Sequence, residues 1–137
     1  YNEFVFSFND VFAFFLDGVN IALIPGTSTP VSIDNVNNGV AGAGQLATGP
    51  CMNCSYYVDN ATGIYDTEMD GYTTLIIVTT AVTPGQTHHI KLAIADALDT
   101  ALDSWVMIEA KSFGAPQPVP LSNWSILLAI SLISVGI

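Results

Sequence analysis

The chain contains no arginine and only two lysines, Lys91 and Lys111, against 12 acidic residues, for a formal net charge of −10. Nucleic-acid binding rests on clustered Lys and Arg that neutralise phosphates, and this balance repels a phosphate backbone. Nucleic acid is thereby excluded as a partner. Charge of either sign is scarce: 10% of the residues are charged, against about 25% in an ordinary soluble domain. Thr, Ser, Asn and Gly take its place, a composition that suits secreted β-proteins. Cysteine is limited to Cys51 and Cys54, too few for a four-thiolate zinc site. Catalytic signatures are missing too. No Ser-His-Asp order and no general acid/base pair stands out, so the chain is read as a non-enzyme.

What remains is a β-rich pattern. Val11-Phe12-Ala13-Phe14-Phe15-Leu16 is a short continuous apolar run ended by Asp17-Gly18, which predicts a strand buried on both faces and then a turn. Val19 to Ile24 resumes the pattern and completes a hairpin. From Thr27 to Thr67 turn-forming Asn, Gly and Pro dominate, and a loop region of this length is usually functional. Thr73 to Val82 is dense in β-branched residues and ends at Pro84-Gly85; His88 to Asp96 then alternates, with Ile90, Leu92 and Ile94 on one face. This spacing predicts a second hairpin. Ser104 to Ala110 alternates again, setting Trp105 and Met107 opposite Val106 and Ile108. Strands separated by turns, with no helices between them, predict an all-β fold: an antiparallel β-sandwich of jelly-roll type over residues 1–113.

The end of the chain differs. Pro116, Pro118 and Pro120 space a linker over 114–121, and 122–137 is an apolar segment without a charge, expected to form a C-terminal hydrophobic helix. Exposed apolar surface of this extent calls for lipid or a partner to cover it. A membrane span needs roughly 20 apolar residues, so the segment reads as a membrane-directed tail cut short. The competing reading is a buried final helix. The chain opens on Tyr1 with core-like Phe4, Val5, Phe6 and Phe8, and is expected to be an internal fragment of an exported protein.

Several groups are candidates for chemistry. Asp96, Asp99 and Asp103 crowd one connection between strands, where carboxylates repel unless a cation joins them; calcium takes six to eight such oxygens. Asn9 and Asp10 would add donors if they pack beside that loop. The spacing is not that of an EF-hand, and a solvated acidic loop accounts for it equally. Asp66, Glu68 and Asp70 alternate before Gly71, where turn chemistry is the simpler account. His88 and His89 are adjacent, so in a strand they face opposite ways and serve structural roles. Cys51 and Cys54 are placed to close a small local disulfide in an exported chain; a redox pair would want βαβ surroundings that are missing. Asn53, Asn60 and Asn123 head glycosylation sequons.

Blocks spread in order along the chain carry a resemblance. Tyr1-Asn2-Glu3-Phe4, Asn9-Asp10-Val11-Phe12-Ala13-Phe14-Phe15, Asn20-Ile21-Ala22, Tyr57-Val58-Asp59-Asn60, Asp70-Gly71-Tyr72-Thr73-Thr74, and His89 to Asp96 through Asp103-Ser104 resemble the choice-of-anchor L domain of bacterial surface proteins. The resemblance spans about residues 1–113. It implies an exported, mostly β module, found with varied C-terminal sorting or anchoring signals, whose opening strands precede Tyr1. Pro120-Leu121-Ser122-Asn123-Trp124 before an apolar span resembles the start of a C-terminal sorting tail that normally ends in a basic cluster.

Two functions follow as expectations. The first is a non-catalytic extracellular or cell-surface module with a structural or adhesive role, held at the membrane through its C-terminus and partnered by other surface proteins or by copies of itself in fibres. The alternative is a calcium-dependent carbohydrate-binding module stacking glycans on Trp105, Tyr56, Tyr57 or Tyr72, although a core position is expected for Trp105.

Overall fold

A computed structural model describes residues 2–42, 44–98, 101–110 and 112–114, and the backbone of 125–134. Alternation shapes its first strand, β1 (Val11–Leu16), in which Phe12, Phe14 and Leu16 are buried while Val11, Ala13 and Phe15 are half-buried. The unbroken apolar run predicted two buried faces. In the fold only one meets the core, and over the other the Lys91 ammonium lies 5.9 Å from the centre of the Phe15 ring. Asp17 and Gly18 both take positive φ, 50° and 86°, as a two-residue hairpin turn of right-handed twist requires. The chain therefore returns at once into β2 (Val19–Asn20), with Leu16 opposite Val19. The arm is short because Asn20 bends away, its Oδ1 accepting from the N–H groups of Phe14 and Ala22.

The far edge of β1 pairs antiparallel with β6 (Ile90–Ala95), setting Phe12, Phe14 and Leu16 opposite Ile94, Leu92 and Ile90. The second sheet holds β3 (Tyr57–Asp59), β4 (Gly71–Thr73), β5 (Ile76–Ala81), β7 (Ser104–Ile108) and β8 (Ser125–Ser134), all antiparallel. β4 and β5 run end to end along one side of β8, and β7 lies on the other. Tyr72 faces Ile133 but Ile76 faces Ile130, so one extra residue is accommodated between β4 and β5 as a bulge.

Two expectations are corrected here. β5 and β6 are not a hairpin: they belong to different sheets, because β1 offers β6 a register in which both apolar stripes share a face, and face matching outranks proximity in sequence. The apolar run near the C-terminus forms strand β8 rather than a helix. As a helix it would leave the N–H groups of its first turn and the carbonyls of its last turn without intrahelical partners; as a strand it is hydrogen-bonded on both sides, to β5 over six residue pairs and to β7 over five. No described helix is long and apolar enough to cross a membrane. Residues 115–124 and 135–137, which hold most of the Pro-rich linker, Asn123 and the last residues of the tail, lie outside the described residues.

The core joins the two sheets. Phe12 and Phe14 of β1 meet Tyr57 of β3 and Ile76 of β5, and the loop segment 22–36 closes over them with Ala22, Ile24, Val31, Ile33 and Val36. Complete burial of a side chain such as Phe14 or Ile24 stabilises by about 1.5–3 kcal/mol. The turn-rich stretch is thus part of the core, and asparagine side chains replace the missing ladder bonds. Buried Asn37 donates from Nδ2 to the carbonyls of Ile33 and Asp34 and accepts at Oδ1 from Gly39 N–H at 3.0 Å. Of Phe4, Val5, Phe6 and Phe8 only Val5 is buried; Phe6 points to solvent, while Phe4 and Phe8 pack edge to face.

Candidate functional site

Two polar nodes build the molecule's most distinctive surface. The first is Asn60, buried where the chain leaves β3. Its Nδ2 donates to the carbonyls of Tyr65, Thr67 and Met69 at 3.3, 3.1 and 2.8 Å, and its Oδ1 accepts from Tyr65 N–H at 2.7 Å. An amide with two donors and an acceptor suits such a hub, and the loop from 61 to 70 is wrapped around it. Asp59 begins the wrap by accepting from Ala61 N–H, and Asp70 O closes it by accepting from Asn60 N–H. The second node is Asp10, whose Oδ1 accepts from Ala97 N–H at 3.2 Å and whose Oδ2 accepts from Ser104 Oγ at 2.6 Å. It staples the two ends of the connection from β6 to β7. Leu98 and Leu102 in that connection take left-handed φ of 79° and 70°, a cost of the order of 1–3 kcal/mol each.

Residues of the loops that these nodes hold, together with β7, line a groove of about 490 Å³. Thr67, Glu68 and Met69 form one wall; Leu102, Asp103, Trp105 and Met107 form the other. Met69 and Leu102 are half-buried, whereas Glu68 and Asp103 are exposed. Trp105 is 52% exposed and Met107 47%. The core position expected for Trp105 is therefore corrected. Val106, its neighbour on β7, packs against the core, and strand alternation sends Trp105 the other way. The other aromatic candidates do not join it. Tyr57 is buried in the core, Tyr56 packs against the core, and Tyr72 lies on β4 with its ring edge to face with Tyr65, 5.9 Å between centroids.

The candidate calcium ligands are only partly described. Asp96 and Asp103 are exposed, Asp99 lies outside the described residues, and among the described residues no three His, Cys, Asp or Glu side chains converge as a metal site. Asp10 does pack beside the loop, as calcium binding would want, but its oxygens accept from protein donors. Asp66, Glu68 and Asp70 diverge: Glu68 lines the groove and Asp70 is anchored through its carbonyl. Burial raises the Asp70 carboxyl above its usual value, with nearby Glu3 and Asp59 adding to the effect.

Elsewhere, Cys51 and Cys54 are joined by a disulfide in the loop region. Asn53 lies between them in the left-handed region and donates from Nδ2 to Asn35 O. His88 and His89 serve the β1–β2 turn. Asp17 Oδ2 is 2.6 Å from His88 Nδ1, and Asp17 Oδ1 accepts from His89 N–H at 2.8 Å. The hydrogen bond from His88 holds the Asp17 carboxyl below its ordinary range, and the same bond raises the His88 imidazole above 6.5.

Sequence reasoning missed the groove and the hub. The groove was within reach, since Val106 and Ile108 pointing inward put Trp105 and Met107 on the outer face. The hub was not, because a sequon at Asn60 looks the same whether its amide is free or enclosed.

No curated protein and no solved structure matches the chain. The choice-of-anchor L domain profile matches residues 1–114, a span that contains β1 to β7, both polar nodes and the groove. The chain therefore belongs to the choice-of-anchor L domain family and is a surface-associated bacterial protein module.

Proposed function

We propose that this module is a non-catalytic structural or adhesive element of the cell surface, built on a jelly-roll β-sandwich and sorted or anchored through its C-terminal tail. It meets other surface proteins or copies of itself and assembles into extracellular fibres. The observation that carries this reading is the outer edge of β6. Among the described strands β6 pairs only with β1, and its Ile90, Leu92 and Ile94 are 43–48% exposed on the face that continues the core. An apolar edge of this kind accepts a further strand. Antiparallel addition centred on Leu92 would set Ile90 of each copy beside Ile94 of the other and join two apolar stripes. Electron microscopy at native concentration and sedimentation give the test. Assembly that is lost in Leu92→Lys supports the reading, whereas a wild-type chain that stays monomeric at high concentration refutes it.

One observation favours a second reading, a calcium-dependent carbohydrate-binding module: Trp105 stands exposed beside Asp103 in the groove. Millimolar calcium would then raise the melting temperature, and Asp99→Ala would abolish the rise. A wild-type chain indifferent to calcium removes it.

A further inference from the structure

We infer that the groove between the 67–69 loop and β7 is a receptor for a cationic side chain, arginine or lysine, carried on an extended apolar peptide segment of a partner protein. Met69 and Leu102 are the half-buried apolar members of the two walls, while Trp105 and Met107 stand on the same face of β7 two residues apart, each about half exposed. Thioethers adapt to irregular apolar shapes, and an indole face attracts a guanidinium or ammonium within about 6 Å. The carboxylates of Glu68 and Asp103 stand exposed at opposite walls. Among the described residues no lysine lines this groove, and Lys91 is committed to the outer face of β1 over Phe15. The carboxylates of the lining therefore suit a cationic ligand.

Three features favour such a peptide over a neutral glycan. Among the described residues Thr67 supplies the one hydroxyl of the lining side chains, the two methionines offer weak acceptors, and the carboxylates of Glu68 and Asp103 are exposed. The net charge of −10 steers a basic partner toward the surface and repels acidic ones. The walls are also preset, since the Asn60 hub holds the carbonyls of Thr67 and Met69 and Asp10 holds Ala97 and Ser104. A preorganised groove spends less entropy on binding.

The inference gives the adhesive reading a partner chemistry and is independent of assembly through β6. Its probes are acetylated, amidated pentapeptides of sequence Gly-Leu-Xaa-Leu-Gly, with Xaa as arginine, citrulline or glutamate, titrated calorimetrically into the full chain. The arginine peptide should bind about tenfold more tightly than its citrulline isostere, lose affinity with added salt, and lose binding in Trp105→Ala. Glu68→Gln combined with Asp103→Asn should erase the preference for arginine over citrulline while the melting temperature is kept. Equal binding of arginine and citrulline, no binding at millimolar peptide, or Trp105-dependent binding of neutral oligosaccharides in place of the peptide would each overturn the inference. Leu92→Lys, which disables assembly, should leave the titration unchanged, so the two readings fail separately.

Discussion

Replacing Asn60 by alanine tests whether one buried amide holds the groove wall in place. The side chain makes four hydrogen bonds, of which three, to Thr67 O, Met69 O and Tyr65 N–H, lie between 2.7 and 3.1 Å; the fourth, to Tyr65 O, is longer at 3.3 Å. Each neutral bond contributes about 0.5–1.5 kcal/mol net, so the three shorter ones together make Asn60→Ala cost about 2–4 kcal/mol. At about 4 °C per kcal/mol for a domain of this size, the melting temperature should fall by about 8–16 °C. Urea denaturation gives the energy and hydrogen exchange gives the location, with the Tyr65 amide losing protection first. Asn60→Asp sharpens the test, because an ionised carboxylate facing three carbonyls has nothing to donate. That variant should be at least as unstable at neutral pH and should recover as acid protonates the carboxyl and restores one donor. A loss below about 0.5 kcal/mol in Asn60→Ala, with Tyr65 still protected, would refute the hub.

Other perturbations probe different contacts. A methyl group at Gly71 would fall 2.8 Å from the Cε2 and Cζ carbons of Tyr57; Gly71→Ala should cost about 1–3 kcal/mol, and a denaturation cycle with Tyr57→Ala should recover part of it. Asp10→Ala removes the acceptor shared by Ala97 and Ser104; a loss of about 1–3 kcal/mol, with faster exchange at Ala97 N–H, is expected. The pair of His88 and Asp17 should make stability depend on pH at both ends of one window. His88 is raised above 6.5 in the fold, so its contribution is complete below that value and lost as pH rises through the folded-state pKa. Asp17 is lowered from 3.8, so its contribution is present above that value and lost as pH falls through the folded-state pKa. His88→Gln should flatten the alkaline side of a melting-temperature profile, and an unchanged profile would remove the pair from the account.

Much of the β-architecture was legible because side-chain alternation is a local property. Asp17-Gly18 announced its turn through backbone preference, and the phase of Trp105, Val106, Met107 and Ile108 on β7 was correct. Misreadings arose where a residue has more than one compatible partner. Ile90, Leu92 and Ile94 suit a hairpin with β5 as well as a pairing with β1, and an apolar run such as Ser125–Ser134 reads as helix until strands on both sides claim its backbone. The core position expected for Trp105 conflicts with its phase against Val106, which packs against the core.

Composition and pattern alone determined that this is an acidic, β-rich chain, since charge balance and period-two alternation need no knowledge of distant contacts. Tertiary structure alone decided which strands share a sheet, that the turn-rich segment 22–36 closes the core, and that Glu68 meets Asp103 and Trp105 across one groove. The physical reason is that these are choices among non-local partners of similar local chemistry. They are settled by which arrangement buries matching apolar faces and leaves the buried amides of Asn37 and Asn60 hydrogen-bonded.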